Sequence, residues 1–471
     1  MHVIHFDTSG WRARYDDGFD EEGVGSIASA LGLVWGTSCE APANVVYVAF
    51  DTRHDSQRLA LLAAGTLASF GLRVLVSDAP CPTPALGWSV ARNDDCVGGI
   101  SITASDFPCE YGGIIVRGRD GGPVSASFAR RVDEYATTSN DGDVGSFETV
   151  DLAGPYLDHL ETLVDAESIA RAHFRVVVDP MYGTGRGIVA SLLRRLGCDV
   201  TEIHDSATED FSGIHPQPVE PWVDDCEQRV VTEGADFGIV LDGDCGRSSL
   251  VSERGRLVAP HNIAPLLMDH LVKQHGRQGR VVMTLPCSAR ITRQAERLGC
   301  EISAVPVGFQ RLHGEIGVGD VLLACDEYGG VSFPEHLPER DGILCALYLT
   351  EMLAQSSMSP TDLVRDLESQ IGAMYYARKD LRLDSAAMQT FSNLLPGLNP
   401  RHLAGRVPTQ VSHADGMKVY FENGAWVMLR PSRTQPVIRA YAEAESVADR
   451  DNLLGAACDI ARGNLAESLA T

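Results

Sequence analysis

The sequence predicts an α/β protein of three topologically similar α/β domains followed by a C-terminal α+β domain. Two observations carry this. A strand–helix–strand–helix–strand order occurs three times, each time ending in a polar, glycine-bearing loop. After residue 369 the pattern changes to a hairpin and a closing helix. At 471 residues the chain is too long for one core, so roughly two to four domains are expected. The expected boundaries are 1–150, 151–254, 255–368 and 369–471.

In the first unit the apolar, β-branched run Val45–Asp51 (VVYVAFD) reads as a buried strand. Ser56–Phe70 has helical spacing, Arg73–Val76 is a second strand, Thr83–Arg92 a helix and Gly99–Thr103 a third strand. That strand runs into TASDFPCEYGG, with Ser105 beside Asp106. In the second unit the strands are Phe174–Asp179, Asp199–Ile203 and Phe237–Leu241, with helices Gly187–Leu196 and Trp222–Glu233 between them. The last strand runs into DGDCGR, residues 242 to 247. In the third, strands Arg280–Leu285, Cys300–Val305 and Val321–Ala324 lead into CDEYGG, residues 325 to 330. Any α/β chain has polar loops after strands, but three at matching positions suit one shared polar site, because open α/β sheets bind ligands beyond their strand ends. In the last domain Met417–Phe421 and Trp426–Leu429 flank a turn at Glu422-Asn423-Gly424, a hairpin signature. RPSRTQP follows, then strand Val437–Ala442 and a helix after Ser446. Arg430, Ser432 and Thr434, with Arg439 close behind, suit a phosphate dianion better than a merely solvated hairpin end.

The composition narrows the function. A net charge of −25 argues against nucleic acid as a partner, while small phosphorylated ligands stay open because local arginines and backbone N–H groups read them. No apolar run has membrane-spanning length, and MHVIHFDTSGW has no basic segment followed by an apolar one. No membrane association and a cytoplasmic location are therefore expected. The twelve cysteines form no Cys-x-x-Cys pair and read as reduced core or loop residues rather than a zinc site.

Together these motifs resemble the α-D-phosphohexomutase superfamily, the phosphoglucomutases and phosphomannomutases, along essentially the whole chain. FDTSGWRA (6 to 13) resembles the opening Phe-Gly-Thr-Ser-Gly-Trp-Arg; TASDFPCEYGG resembles the phosphoserine loop Thr-Ala-Ser-His-Asn-Pro-x-x-Tyr-Asn-Gly. DGDCGR resembles the metal loop Asp-Gly-Asp-x-Asp-Arg, CDEYGG the sugar loop Gly-Glu-x-Ser-Gly, and RPSRTQPVIR the phosphate loop Arg-Pro-Ser-Gly-Thr-Glu-Pro-x-x-Arg. PERDGILCAL (338 to 347) also matches family members. The resemblance implies four domains around a central cleft and a serine, here Ser105, that carries a phosphoryl group. It implies Mg2+ on Ser105, Asp242 and Asp244, and phosphate handling by Arg12, Arg247, Arg430, Ser432, Thr434 and Arg439. It puts Asp326, Glu327 and Tyr328 against the sugar.

The departures fall on the chemistry. The third metal aspartate is Gly246, so Mg2+ binding is weakened or lost; magnesium can still be held by one or two carboxylates plus phosphate oxygens. The histidine after the serine is Asp106 and the asparagine Phe107. Ile115 replaces a lysine that is a candidate general base, Gln310 replaces the lysine of Val-Gly-Phe-Lys, and Tyr328 replaces a serine. Asp106 reads equally as a substitute metal ligand or as a cap on nearby N–H groups.

Three functions fit. The first is a mutase transferring a phosphoryl group through phospho-Ser105 on a hexose phosphate or related phosphosugar, with Ser105, Asp106 and Arg12 as catalytic candidates. The second is an epimerase or isomerase of a phosphorylated sugar or phosphorylated nucleoside, using the site carboxylates without phosphoryl transfer. The third is a non-catalytic phosphosugar-binding protein. An isomerase acting on a phosphosugar is the leading expectation. His54 reads as a loop histidine and His215 as structural. Cys245 and Cys325 have no neighbouring base in sequence, so they read as small replacements rather than nucleophiles.

Overall fold

The computed structural model describes residues 4–38, 43–136, 145–432 and 437–463. It divides into two compact units, Met1–Val282 with Gly308–Val364, and Met283–Val307 with Arg365–Thr471.

The first unit begins with a six-stranded sheet in the order Trp11–Arg14, Tyr111–Arg117, Cys96–Ile102, Val45–Phe50, Arg73–Ser77, Glu148–Val150. Val45–Phe50 pairs in parallel with both Cys96–Ile102 and Arg73–Ser77, and all seven residues of Cys96–Ile102 are buried. That is why these strands read as unbroken apolar runs: parallel strands are covered on both faces. Helices Glu21–Ser38 and Ser56–Ser69 close over the sheet through Ile27, Leu31, Leu59 and Leu67. A second sheet has the order Ser248–Ser252, Phe237–Leu241, Arg175–Asp179, Asp199–Glu202. The strands Arg280–Thr284, Val321–Cys325 and Val331–Ser332 follow one another in a third.

The three motif loops occupy one topological position. Cys96–Ile102 turns back antiparallel into Tyr111–Arg117, Phe237–Leu241 into Ser248–Ser252, and Val321–Cys325 into Val331–Ser332. Each motif is the connection of that hairpin. Gly112 and Gly113, at the end of the TASDFPCEYGG motif, do not close its loop but lie inside the strand Tyr111–Arg117. A Cβ at Gly112 would stand 2.0 Å from the Phe19 ring, and one at Gly113 would stand 2.5 Å from the Thr103 carbonyl. They are glycines because neighbours press onto the strand, not because a turn needs them.

The second unit carries a five-stranded antiparallel sheet in the order Tyr375–Arg382, Val437–Ala444, Trp426–Pro431, Met417–Tyr420, Gln410–Ser412. Helix Val447–Ala461, capped by Ser446, packs on it through Leu453, Ala457 and Ile460. Within this unit Lys418 is buried, with its ammonium 3.9 Å from the Trp426 ring centroid and donating to the Leu285 carbonyl at 2.5 Å. Burial pulls its pKa down to about 8 against the pull of Cys287 and Glu443. A lysine lowered in the folded state holds fewer protons there than in the unfolded chain between that value and its ordinary 10.5, so its contribution to stability rises with pH across that window. Chemical denaturation of wild type and Lys418→Met at pH 7.5 and 10.5 is expected to show the wild type gaining about 3 kcal/mol on the variant at the higher pH. The same difference between the two proteins at both pH values would show that the ammonium is not penalised by burial.

Candidate active site

Ser105 follows the strand Cys96–Ile102 directly, is buried, and adopts φ 55. A side-chain-bearing residue in the left-handed region is held there by its surroundings. The surroundings are explicit. Its N–H donates to Thr103 Oγ1 at 2.9 Å, its carbonyl accepts from Arg53 Nη2 at 2.7 Å, and its Oγ donates to Asp244 Oδ1 at 2.7 Å. Arg53 is buried and uses all five donors of its guanidinium. Besides Ser105 it serves the carbonyls of Phe107 (2.6 Å), Pro108 (2.8 Å) and Tyr111 (3.2 Å), and its Nε donates to Asp51 Oδ2 at 3.0 Å.

The DGDCGR loop packs against the serine loop. A Cβ on Gly243 would stand 2.7 Å from the Ser105 carbonyl, so only glycine permits this approach. Asp244 Oδ2 accepts from Thr83 Oγ1 at 2.6 Å, and the Asp244 carbonyl accepts the Thr83 N–H. Asp242 accepts the Arg247 N–H and its Nη1, each at 2.9 Å. Burial and the charge of Asp244 push the Asp242 carboxyl up to about 7 in spite of Arg247. A carboxyl raised by burial and a second carboxylate beside it make a place where a dication is favoured. A Cβ at Gly246 would lie 3.6 Å from Asp244 Oδ1 and 3.8 Å from Asp242 Oδ2. The missing third carboxylate therefore leaves space beside the two that remain. Asp242, Asp244, an oxygen on Ser105 and water fit magnesium, which tolerates few protein ligands.

Asp106 faces Gln217 and Arg247. Its Oδ2 accepts from Gln217 Nε2 at 3.0 Å and stands 3.3 Å from Arg247 Nη1. Burial pushes its carboxyl up, but Arg247, Gln217, Arg12 and Arg340 outweigh this and hold it below the usual range. Such a carboxylate stays ionised and is a poor proton donor at neutral pH. Arg247 reaches on to Asp326, with Nε 4.0 Å from Oδ2, and Arg340 donates to the same oxygen at 3.4 Å. Asp326 Oδ1 accepts the N–H groups of Tyr328 and Gly330, each at 2.9 Å, which shapes the CDEYGG turn around the buried Glu327. Arg12, on Trp11–Arg14, lies with its guanidinium carbon 5.3 Å from the Phe107 ring centroid and feels the charges of Asp106 and Asp244. Ser105, Asp106, Asp242, Asp244, Arg247, Asp326 and Arg12 thus form one connected cluster within the first unit.

The remaining residues have definite places. Ile115 is buried in Tyr111–Arg117, opposite Ser101. Cys245 and Cys325 are buried; burial keeps the Cys245 thiol far above its ordinary range, against thiolate chemistry. His54 pairs with Glu209 at 2.8 Å on the surface, and His215 stacks on Trp222 at 4.5 Å. In the second unit Arg430 and Arg439 are direct cross-strand partners. Arg430 Nε lies 2.9 Å from Asp415 Oδ2, and the Ser432 N–H donates to the Val437 carbonyl at 2.9 Å. Two guanidiniums opposite one another on a hairpin repel unless anions sit with them. Thr434 lies outside the described residues. Sequence reasoning missed Arg53, Thr83, Gln217 and Arg340. Arg53 stood in the Asp51-Thr52-Arg53-His54 strand end, and an arginine following a buried aspartate was the available clue.

Four family models match in order. Domain I of phosphoglucomutase/phosphomannomutase covers residues 3–142, domain II 154–255, domain III 259–371 and the C-terminal domain 391–458. The chain belongs to the α-D-phosphohexomutase superfamily. Its fold is that of the family, three α/β domains and a C-terminal α+β domain. Among its relatives is a Thermococcus kodakarensis phosphoglucomutase/phosphomannomutase, 28% identical over 91% of this chain and 92% of the relative. A phosphoglucosamine/phosphogalactosamine mutase of Sulfurisphaera tokodaii is 24% identical over 97% and 99%. A solved Thermus thermophilus protein assigned as a phosphomannomutase superposes with TM-score 0.86 at 29% identity, covering 98% of this chain and 99% of the other. This phosphohexomutase is a phosphosugar-acting isomerase. The relatives do not favour an epimerase without phosphoryl transfer or a non-catalytic binding protein, and they give no support to a phosphorylated nucleoside as partner. No helix among the described residues is long and apolar enough to cross a membrane.

Proposed function

We propose that this phosphohexomutase interconverts positional isomers of a hexose phosphate by passing a phosphoryl group through Ser105. The observation that carries the reading is the Ser105 hydroxyl, buried and donating to Asp244 from a backbone fixed by Arg53. In the forward half-reaction the P–Oγ bond of phospho-Ser105 breaks, a P–O bond to the sugar hydroxyl forms, and that hydroxyl's proton passes to Oγ. After the bisphosphate turns over, Ser105 Oγ takes the other phosphoryl group and returns the proton to the sugar oxygen it releases. Such transfer is largely positioning and charge stabilisation, which accounts for a site without the family's lysine at Ile115. Ser105, Asp242 and Asp244 would hold Mg2+, which would supply positive charge against the phosphoryl oxygens. Arg247 orients Asp242 and keeps Asp106 ionised, so that Asp106 serves position rather than proton transfer. Arg12 faces the phosphoserine. Arg430, Ser432, Thr434 and Arg439 clamp the phosphate that is not being transferred. Asp326, Glu327 and Tyr328 line the sugar, and the phenol in place of a serine narrows the choice of sugar. The domains follow 1–150, 151–254, 255–368 and 369–471.

The test is conversion of glucose, mannose and glucosamine 1-phosphates to the 6-phosphates by the purified full chain, primed with the matching bisphosphate. At least one is expected to turn over, and a chelator is expected to remove most of the rate until Mg2+ is restored. Phosphorylated protein that converts none of the three would overturn the hexose reading.

A further inference from the structure

Away from this site, His270, His275 and Glu351 bring two imidazole nitrogens and a carboxylate oxygen to one point, all within 4.8 Å of one another. His270 lies in the last turn of the helix Pro260–Lys273, His275 just beyond it, and Glu351 on the helix Gly342–Ser356. His270 and Glu351 are buried and His275 is half-buried. Both Nε2 atoms address the same oxygen, Glu351 Oε2, at 2.7 Å and 2.8 Å. The other oxygen, Oε1, is fixed by the Asp165 N–H at 2.6 Å. The Tyr348 ring packs edge-on against both imidazoles, with centroids at 6.2 Å and 5.2 Å.

We propose that His270, His275 and Glu351 form a zinc-class metal site, separate from the phosphoryl-transfer centre and independent of the reading of Ser105. The donor set decides the metal. Two imidazoles and one carboxylate suit a borderline cation such as Zn2+, whereas Mg2+ prefers oxygen alone. The surroundings have what a metal centre uses: a backbone N–H aims the carboxylate, and packed aromatic surface limits solvent. As the groups stand, two Nε2–H donors converge on one oxygen; in the metal form each ring is a neutral imidazole protonated at Nδ1, the Nε2 proton having shifted there or, from an imidazolium, left to solvent, and the Nε2 lone pair turns to the cation. Tetrahedral zinc, with water as its fourth ligand and bonds near 2.0–2.1 Å, separates its ligand atoms by about 3.3 Å, so the two N···O distances open by roughly half an ångström. The role is structural. The helix bearing Glu351 begins at Gly342, whose N–H donates to the Cys245 carbonyl of the DGDCGR loop. A metal on Glu351 would therefore brace the far end of the helix on which that loop rests.

The full chain, stripped by chelator and desalted, is titrated with Zn2+ alone against a chromophoric competitor, and bound metal is counted by elemental mass spectrometry. One equivalent is expected in wild type. His275→Ala, at the half-buried position, and Glu351→Gln are each expected to weaken it more than tenfold, with far-ultraviolet circular dichroism confirming that they fold. X-ray absorption of the zinc form is expected to show two imidazoles and no sulfur, and zinc is expected to raise the melting temperature of wild type but not of His275→Ala. Equal zinc affinity in wild type and His275→Ala, sulfur in the zinc shell, or no zinc held against the competitor would each overturn the proposal.

Discussion

Replacing Ser105 with alanine is expected to lower mutase turnover by at least about 10⁴-fold, since it removes the hydroxyl proposed to carry the phosphoryl group. The phosphorylated species is expected to vanish from the intact-mass spectrum. Hexose phosphate binding is expected to change only a few-fold, because the phosphate clamp proposed for Arg430, Ser432, Thr434 and Arg439 is left untouched. The fold is expected to survive. Alanine leaves Asp244 Oδ1 without the hydroxyl that donates at 2.7 Å, at a cost of about 1–3 kcal/mol, while Thr83 still serves Oδ2. Turnover within a few-fold of wild type would end the phosphoserine mechanism outright.

Gly246→Asp is expected to return the missing metal carboxylate. Gly246 is not among the residues with positive φ, and a Cβ there meets the oxygens of Asp244 and Asp242 only at ordinary contact distance. A side chain therefore enters without strain. Without metal, a third carboxylate beside one whose pKa already stands at about 7 is expected to lower stability by about 1–3 kcal/mol. With Mg2+ the sign reverses, and affinity is expected to rise roughly tenfold to a hundredfold through the added ligand charge. Calorimetric titration of Mg2+ and melting curves with and without it would read both effects. A variant with unchanged Mg2+ affinity would mean that the space beside Asp242 and Asp244 is not where the cation sits.

Much of this was legible in the chain. Buried parallel strands announce themselves, as Phe237–Leu241 and Val45–Phe50 do, because both faces demand apolar residues. The hairpin at Glu422-Asn423-Gly424 was equally plain, although the turn forms a short 3-10 segment with Asn423 at φ 63. Tyr111–Arg117 was hidden because its two glycines imitate a turn, and what they make room for, Phe19 and the Thr103 carbonyl, lies far away in sequence. The motif loops named Ser105, Asp242, Asp244 and Arg247 correctly as neighbours. They could not show that Asp106 belongs to Gln217 and Arg247, since Gln217 is 111 residues distant. The His270–His275–Glu351 cluster was invisible for the same reason: the local spacing of the two histidines suggests nothing until Glu351 arrives from another helix.

The guanidinium of Arg53 grips four main-chain oxygens of the serine loop and no side chain in it. The loop's contour is therefore dictated from a strand end some fifty positions upstream, through atoms that every amino acid possesses. That main-chain grip on Ser105 does not depend on the identity of the side chains at Asp106 and Phe107. This gives a physical reason why aspartate and phenylalanine can stand where the resembled family motif has histidine and asparagine, around the Ser105 hydroxyl.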